Sequence, residues 1–322
     1  MPKPIASLSL DLDNEWTYLK THGDANWSSF PSYLHRIVPR VLDFFQQRNL
    51  KITFFIVGQD AALEKNEDAL RSIAAAGHEI GNHSFNHEPW LNLYSDGAIE
   101  REVELAEESI AKTTGQRPIG FRGPGFSCSP ALLRTLCSRG YRYDASTFPT
   151  FIGPLARAYY FMRSNLKGAE LRRRRALFGS IADGFRPNRP YRFSFDGDEL
   201  LEIPVTTMPG SRLPMHVSYL LYLAGFSHQL ALGYFRSALA LCKLTATTPS
   251  LLLHPLDFLG REENQSLSFF PAMNMSSERK LELVAGALDL LAADYEIVTM
   301  GEHAACAIDA LDCTPFAVAA DL

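Results

Sequence analysis

The sequence predicts an α/β protein organised around a parallel β-sheet, and three observations carry that reading. Strand-like and helix-like stretches alternate through the first half of the 322 residues. The stretch 51–57 (KITFFIV) is β-rich and uninterrupted, as a strand buried on both faces should be. Hydrophobic residues make up 46% and charged residues 21%, the balance of a globular chain with a sizeable core.

The elements follow in order. Residues 5–10 form a first strand. Residues 33–47 carry helical apolar spacing through Ile37, Val41, Leu42 and Phe45. After the 51–57 strand, 60–76 reads as a helix stopped by Gly77, and 78–81 as a short strand. A long polar-faced helix covers 96–114, a strand 119–122, and a helix 130–139 with Pro130 in its first turn. Repeated βα order implies a parallel sheet, wound open or closed into a barrel. From about 147 to 248 the rhythm breaks. The arginine run Arg172, Arg173, Arg174, Arg175 is followed by a proline-marked stretch, a strand at 200–205, and a strongly apolar stretch at 215–244. Regular order returns with strand 250–253, helix 277–292 and strand 296–299. The middle region therefore reads as an insertion within a single domain spanning 1–322.

A net charge of -5 gives no reason to expect a nucleic-acid partner. Five widely spaced cysteines without a CxxC pair suggest neither a disulfide framework nor a thiolate metal site, and read as reduced thiols in a cytoplasmic protein. The first apolar stretch is short and cut off by Asp11 and Asp13, so it reads as a buried strand rather than a signal peptide. No apolar run approaches the roughly 18 residues of a spanning helix.

Two motifs carry chemistry. In His83-Ser84-Phe85-Asn86-His87, a helical turn would place both imidazoles on one side, within reach of one cation. The motif follows the 78–81 strand, and strand C-termini are where α/β folds place ligands. H-x3-H also arises by chance, so the motif needs its context. In Asp11-Leu12-Asp13, side chains two apart along a strand point the same way, so one aspartate can ligate a cation while the other stands beside it. The plainer reading is a solvated turn with an aspartate helix cap.

Asp11-Leu12-Asp13, His83-Ser84-Phe85-Asn86-His87, Phe121-Arg122-Gly123-Pro124-Gly125, Asp144-Ala145-Ser146 and Leu252-Leu253-His254 occur in the order of the five motifs of the polysaccharide deacetylases (carbohydrate esterase family 4, NodB homology), which the chain resembles. The resemblance implies a distorted (β/α)7 barrel of parallel strands with a large insertion, and hydrolysis of an N-acyl group, acetyl or formyl, from an amino sugar. It implies Asp11 as general base, Asp13, His83 and His87 as metal ligands, and Arg122 as the arginine orienting the base. It further implies His254 as general acid and Asp144 as the carboxylate tuning it. Zinc is the first choice of metal, with cobalt, nickel or iron as alternatives. Glu15, Trp16, Pro124, Gly125 and Asp257 are candidates for substrate contact.

The chain departs from the family pattern in places. Leu12 separates the aspartates, as in the subset containing bacterial peptidoglycan, cyclic-imide and lipid-linked-sugar hydrolases, so either aspartate could be the base. Thr147 stands where an aromatic residue is usual, and Gly125 where a bulky one is, its N–H expected to help hold an oxyanion. His22, His35, His78, His216, His228 and His303 lack ligand spacing and read as structural or surface residues. The arginine run and the apolar 215–244 stretch together suit a lipid-linked saccharide and peripheral membrane contact; helices closing over the barrel are the plainer alternative. Competing functions are cyclic amide or imide hydrolysis, a DxD metal-dependent glycosyltransferase, and a sugar-binding protein without catalysis.

Overall fold

The computed structural model describes residues 3–153, 181–195, 198–270, 272–310 and 316–317. Its centre is strand β1 (Ile5–Asp11), flanked by β2 (Thr53–Ile56) and by β8 (Ser250–Leu253). Beyond β2 come β3 (Glu79–Asn82), β4 (Gly120–Phe121) and β5 (Tyr143–Asp144), all parallel. β6 (Tyr191–Phe195) and β7 (Asp198–Glu202) form an antiparallel hairpin, and β7 lies parallel to β5. β9 (Glu296–Val298) pairs with the start of β1, and β10 (Phe316–Ala317) with β6.

The sheet curls until its ends nearly meet. Just past β7, the Thr206 N–H donates to the Ser250 carbonyl at 3.0 Å, and the Ser250 N–H donates to Thr206 Oγ1 at 2.8 Å. The mostly parallel sheet is thus a curled half-barrel with helices packed around it. Close fit inside the curl depends on glycine facing an aromatic ring: a Cβ on Gly120 would lie 2.0 Å from the Tyr143 ring. The hairpin at 191–202 belongs to this sheet, although it falls within the stretch where the sequence loses its βα rhythm.

The helices at Glu15–His22 and Met300–Ala310 were not read from the sequence; those that were follow their signals with two differences. α1 (Glu15–His22) is capped by Asn14, whose side chain accepts the Glu15 N–H at 2.8 Å. α2 spans Leu34–Gln46. The helix expected at 60–76 is broken into α3 (Gly58–Ala61) and α4 (Glu67–Ala75). The Asn66 amide folds back on Asp60, reaching its backbone oxygen at 3.2 Å and Oδ1 at 3.1 Å, and a 3-10 turn redirects the chain. α5 (Asp96–Thr114) and α6 (Pro130–Ser138) match expectation. The 215–244 stretch is two helices, α7 (Val217–Ala224) and α8 (His228–Leu244), the second capped by Ser227. Leu220, Leu221, Phe235 and Leu239 enter the main core beside α9 (Ser277–Asp294), and α10 (Met300–Ala310) packs against β1. The run Arg172–Arg175 lies outside the described residues. Among the described residues no helix is long and apolar enough to cross a membrane.

Candidate metal and catalytic site

Parallel strands deliver their C-terminal ends to one side of the sheet, and the motif residues sit there. Asp11 ends β1, and the register Leu10↔Leu253 sets His254 beside it on the next strand. His83 follows β3, Arg122 follows β4 and Asp144 ends β5.

Asp13, His83 and His87 each place one potential ligand atom within 4.8 Å of the others, and all three residues are buried. His87 Nε2 is 2.9 Å from Asp13 Oδ1, and His83 Nε2 is 3.4 Å from the same atom. The two histidines do not lie on a helical turn. They belong to a loop in which Ser84 (φ 59) and His87 (φ 49) are left-handed. The loop's backbone bonds are taken by its surroundings instead. Asn82 Oδ1 accepts the Ser84 N–H, Gly58 N–H donates to the Ser84 carbonyl, and the Glu102 carboxylate accepts the N–H groups of Phe85 and Asn86 and the Asn86 side-chain amide.

Whether a cation fits is decided by the polar atoms left over. His83 Nδ1 lies 2.6 Å from the Arg122 carbonyl, which can only accept. The neutral ring therefore carries its proton on Nδ1 and turns the Nε2 lone pair towards Asp13. Asp13 Oδ1 is buried without a hydrogen bond, despite two imidazole nitrogens beside it. Burial opposes ionisation of Asp13, but His87 and His83 outweigh it and hold the carboxyl well below the usual carboxylate range. Burial likewise opposes charge on His83, and Asp11 and Asp13 overcome it, raising that imidazole. Two nitrogens and one oxygen converging with an unsatisfied acceptor fit a divalent cation with positions to spare.

Arg122 is fully buried. Its Nη1 donates to Asp11 Oδ1 at 2.7 Å and to Ser9 Oγ at 2.8 Å, its Nε donates to the Ala145 carbonyl at 3.0 Å, and the guanidinium lies 4.4 Å from the Phe55 ring centroid. Asp11 Oδ2 stands 3.9 Å from His83 Nε2, so Asp11 lies between arginine and imidazole. The next loop holds buried Pro124 and exposed Gly125, the latter at φ 58 with Pro89 Cβ 3.0 Å from where a side chain would begin. Only glycine takes that backbone conformation without strain.

Three of the expected residues have other neighbours than their expected roles suggest. Asp144 does not meet His254: it accepts from Ser146 Oγ at 2.6 Å, Ser146 in turn accepts the Gly123 N–H at 2.7 Å, and Glu202 lies opposite in register. Burial raises Asp144, and burial together with Asp144 raises Glu202 well above the usual range. The carboxylate that reaches His254 is Asp257, which accepts the His254 N–H at 2.8 Å. Ser218 donates to Asp257 Oδ1 at 2.9 Å, with its Oγ 3.1 Å from His254 Nδ1. Asp257 is only 1% exposed, and its contacts run to His254 and Ser218. Trp16 is also 1% exposed; its indole N–H donates to Asp60 Oδ1 at 3.0 Å and its ring packs on Trp27 and Phe30. Glu15 is half-buried and accepts from Ser266 Oγ at 2.5 Å.

Sequence reasoning missed Ser218, Glu102, Glu202 and Asp60. Each is a lone polar residue whose only signal is its place on a buried face, visible once the helices and strands are assembled.

Residues 20–143 match the family model described as Polysaccharide deacetylase. That stretch contains His83, His87 and Arg122; the fold brings Asp11, Asp13 and His254 to them. A peptidoglycan-N-acetylglucosamine deacetylase of Bacillus cereus is 35% identical over 86 residues, 27% of this chain and 30% of that protein. A chitin deacetylase of Colletotrichum lindemuthianum is 32% identical over 106 residues, 32% of this chain and 42% of that protein. The matches thus span less than half of those relatives. In fold, the chain resembles a putative polysaccharide deacetylase from Mycobacterium smegmatis (TM-score 0.64, 19% identity, 99% of this chain and 95% of that one). It also resembles Puue Allantoinase (TM-score 0.58, 16% identity, 98% and 92%). Residues 20–143 are thus similar to the polysaccharide deacetylases in sequence, and the curled parallel sheet resembles theirs in fold.

Proposed function

We propose that the protein is a metal-dependent hydrolase that removes an acetyl or formyl group from the nitrogen of an amino sugar. The observation that carries this reading is the convergence of Asp13, His83 and His87 beside the Asp11–Arg122 pair, with His254 on the neighbouring strand. Relatives named as peptidoglycan and chitin deacetylases support the amino-sugar class.

Asp13 is the ligand and Asp11 the base in this reading, because Asp13 Oδ1 faces both imidazoles while Asp11 is engaged by Arg122. A divalent cation bound there, with zinc favoured by the two-nitrogen, one-oxygen donor set, lowers the pKa of water towards about 7 and polarises the acyl carbonyl. Asp11 takes the proton of the attacking water, and Arg122 keeps that carboxylate oriented. The N–H of Gly125 offers a donor to the tetrahedral oxyanion. His254, steadied through Ser218 and Asp257, gives a proton to the departing nitrogen. Asp144 acts at a distance, holding Ser146 and through it the Gly123 backbone.

The reading takes residues 1–322 as one catalytic unit in the cytoplasm, which the free thiols of Cys128, Cys137, Cys242 and Cys306 support. A lipid-linked sugar is the narrower form of the substrate. It is supported by Tyr222 and Phe226, 54% and 74% exposed at the tip of the α7–α8 hairpin, with Leu230 also exposed. Co-sedimentation with anionic liposomes tests that part alone.

The main test is release of acetate or formate from N-acylated chitooligosaccharides and peptidoglycan fragments by zinc-loaded protein. Release should stop in Asp11→Asn and with a chelator. Opening of cyclic imides or ureides with no release from any N-acyl sugar would replace this reading with the cyclic-amide one.

A further inference from the structure

A second imidazole stands beside His254. His216, immediately before α7, is 5% exposed, and its ring centroid lies 6.2 Å from that of His254 and 5.3 Å from that of Phe148. Its carbonyl starts the helix by accepting the Tyr219 N–H at 3.0 Å, so the turn that places Ser218 against His254 also places His216. Its Nδ1 is buried without a hydrogen-bond partner. Leaving a buried polar atom unpaired costs about 1–3 kcal/mol, so such an atom calls for a role.

The surroundings indicate the kind of partner. Phe148 stacks on Phe126 at 4.8 Å between centroids and 25° between planes, and both rings are half-buried. Phe126 follows Gly125 and is held at φ 62, a left-handed conformation that costs a bulky residue on the order of 1–3 kcal/mol. Phe126, Phe148, His216 and His254 thus form a row of rings from the Gly125 loop to the acid. Burial, reinforced by His254 and Arg122, holds His216 well below the usual histidine range, so its ring is neutral and offers one donor and one acceptor nitrogen. An apolar row with one unpaired neutral nitrogen complements a sugar, which has a C–H face and a rim of hydroxyls.

We propose that His216 is a substrate-recognition residue that hydrogen-bonds a hydroxyl of the sugar bearing the scissile amide, while Phe126 and Phe148 form the wall on which that sugar lies. This rests on the deacylase reading above.

The test uses Asp11→Asn protein loaded with zinc, so that the ligand survives, titrated calorimetrically with triacetylchitotriose. Adding His216→Phe, which keeps ring bulk but no nitrogen, should weaken binding by about tenfold to a hundredfold. His216→Gln, which keeps a donor and an acceptor, should recover most of it, with zinc content and melting temperature unchanged in both. Binding unaffected by His216→Phe overturns this assignment alone. Equal losses in both variants with a lowered melting temperature overturn it in favour of a structural role. Failure of the Asp11→Asn parent to bind any N-acyl saccharide overturns the deacylase reading, and this assignment with it.

Discussion

Replacing Asp60 by asparagine should remove a pH-dependent contribution to stability that originates behind the metal site. Asp60 is 1% exposed; its Oδ1 accepts from Asn14 Nδ2 at 2.7 Å, Trp16 Nε1 at 3.0 Å and Asn66 Nδ2 at 3.1 Å, while Oδ2 has no partner. Burial outweighs those three donors and pushes the carboxyl from 3.8 to about 7. A folded-state value above the unfolded one means that the native protein binds the proton more tightly. The stabilisation is full below the unfolded value and is lost as pH rises through about 7. Each pH unit between the two values is worth about 1.4 kcal/mol, giving a ceiling of about 4 kcal/mol over the window and about 2–3 kcal/mol between about pH 5 and pH 8. Asparagine keeps the accepting oxygen but buries an amide where Oδ2 stood, a pH-independent loss of about 1–3 kcal/mol. The variant should therefore be the less stable protein at about pH 5 and draw level with or pass the wild type by about pH 8. Urea unfolding at several pH values, on chelator-treated protein, measures the difference. A difference that stays flat across that window would refute the reasoning that desolvation governs this carboxyl.

Other changes separate the roles assigned here. Arg122→Met leaves Asp11 buried without its counter-charge and should cost about 3–5 kcal/mol in urea unfolding; a loss below about 1 kcal/mol would mean that the pair is not buried as described. Trp16→Phe should lower stability by about 1 kcal/mol through the lost indole bond while leaving KM for a sugar substrate unchanged. A raised KM at unchanged stability would restore Trp16 as a substrate contact. Ser218→Ala removes the hydroxyl between His254 and Asp257 and should lower kcat by about tenfold without altering zinc content. An unchanged kcat would show that His254 needs no such support.

What could be read in advance follows the range of the interactions involved. β1, β2, β8 and α5 are legible because their patterns are set by their own residues: continuous apolar runs for buried strands, periodicity and a closing Gly115 for the helix. The convergence of Asp13, His83 and His87 was legible because the three residues fall in two short motifs. The conformation of the His83–His87 loop was not, because it is fixed by Asn82, Gly58 and Glu102, the last from a different helix. The partner of His254 was hidden for the same reason: Ser218 is one serine in an apolar helix, and only the packing of α7 against the turn after β8 brings it to the imidazole. The break in the 60–76 helix likewise depends on Asn66 finding a buried Asp60.

The two ends of the site also differ in how they are built. The metal end is made by strand ends and loops within or next to the matched segment, held by short hydrogen bonds to buried groups such as Arg122 and Glu102. The acid end is made by β8 and by α7, which lies in the stretch without βα rhythm and outside that segment. Lys280 of α9 secures this second end: buried, it donates to the carbonyls of Leu256 at 2.7 Å and Leu259 at 2.6 Å, on either side of the turn that presents Asp257. Burial lowers its ammonium to about 8, so the clamp sits at the edge of ionisation in mildly alkaline solution. On the proposed reading, a chain that changes α7 while keeping the strand ends would retain its cation and its base yet alter the sugar beside His254.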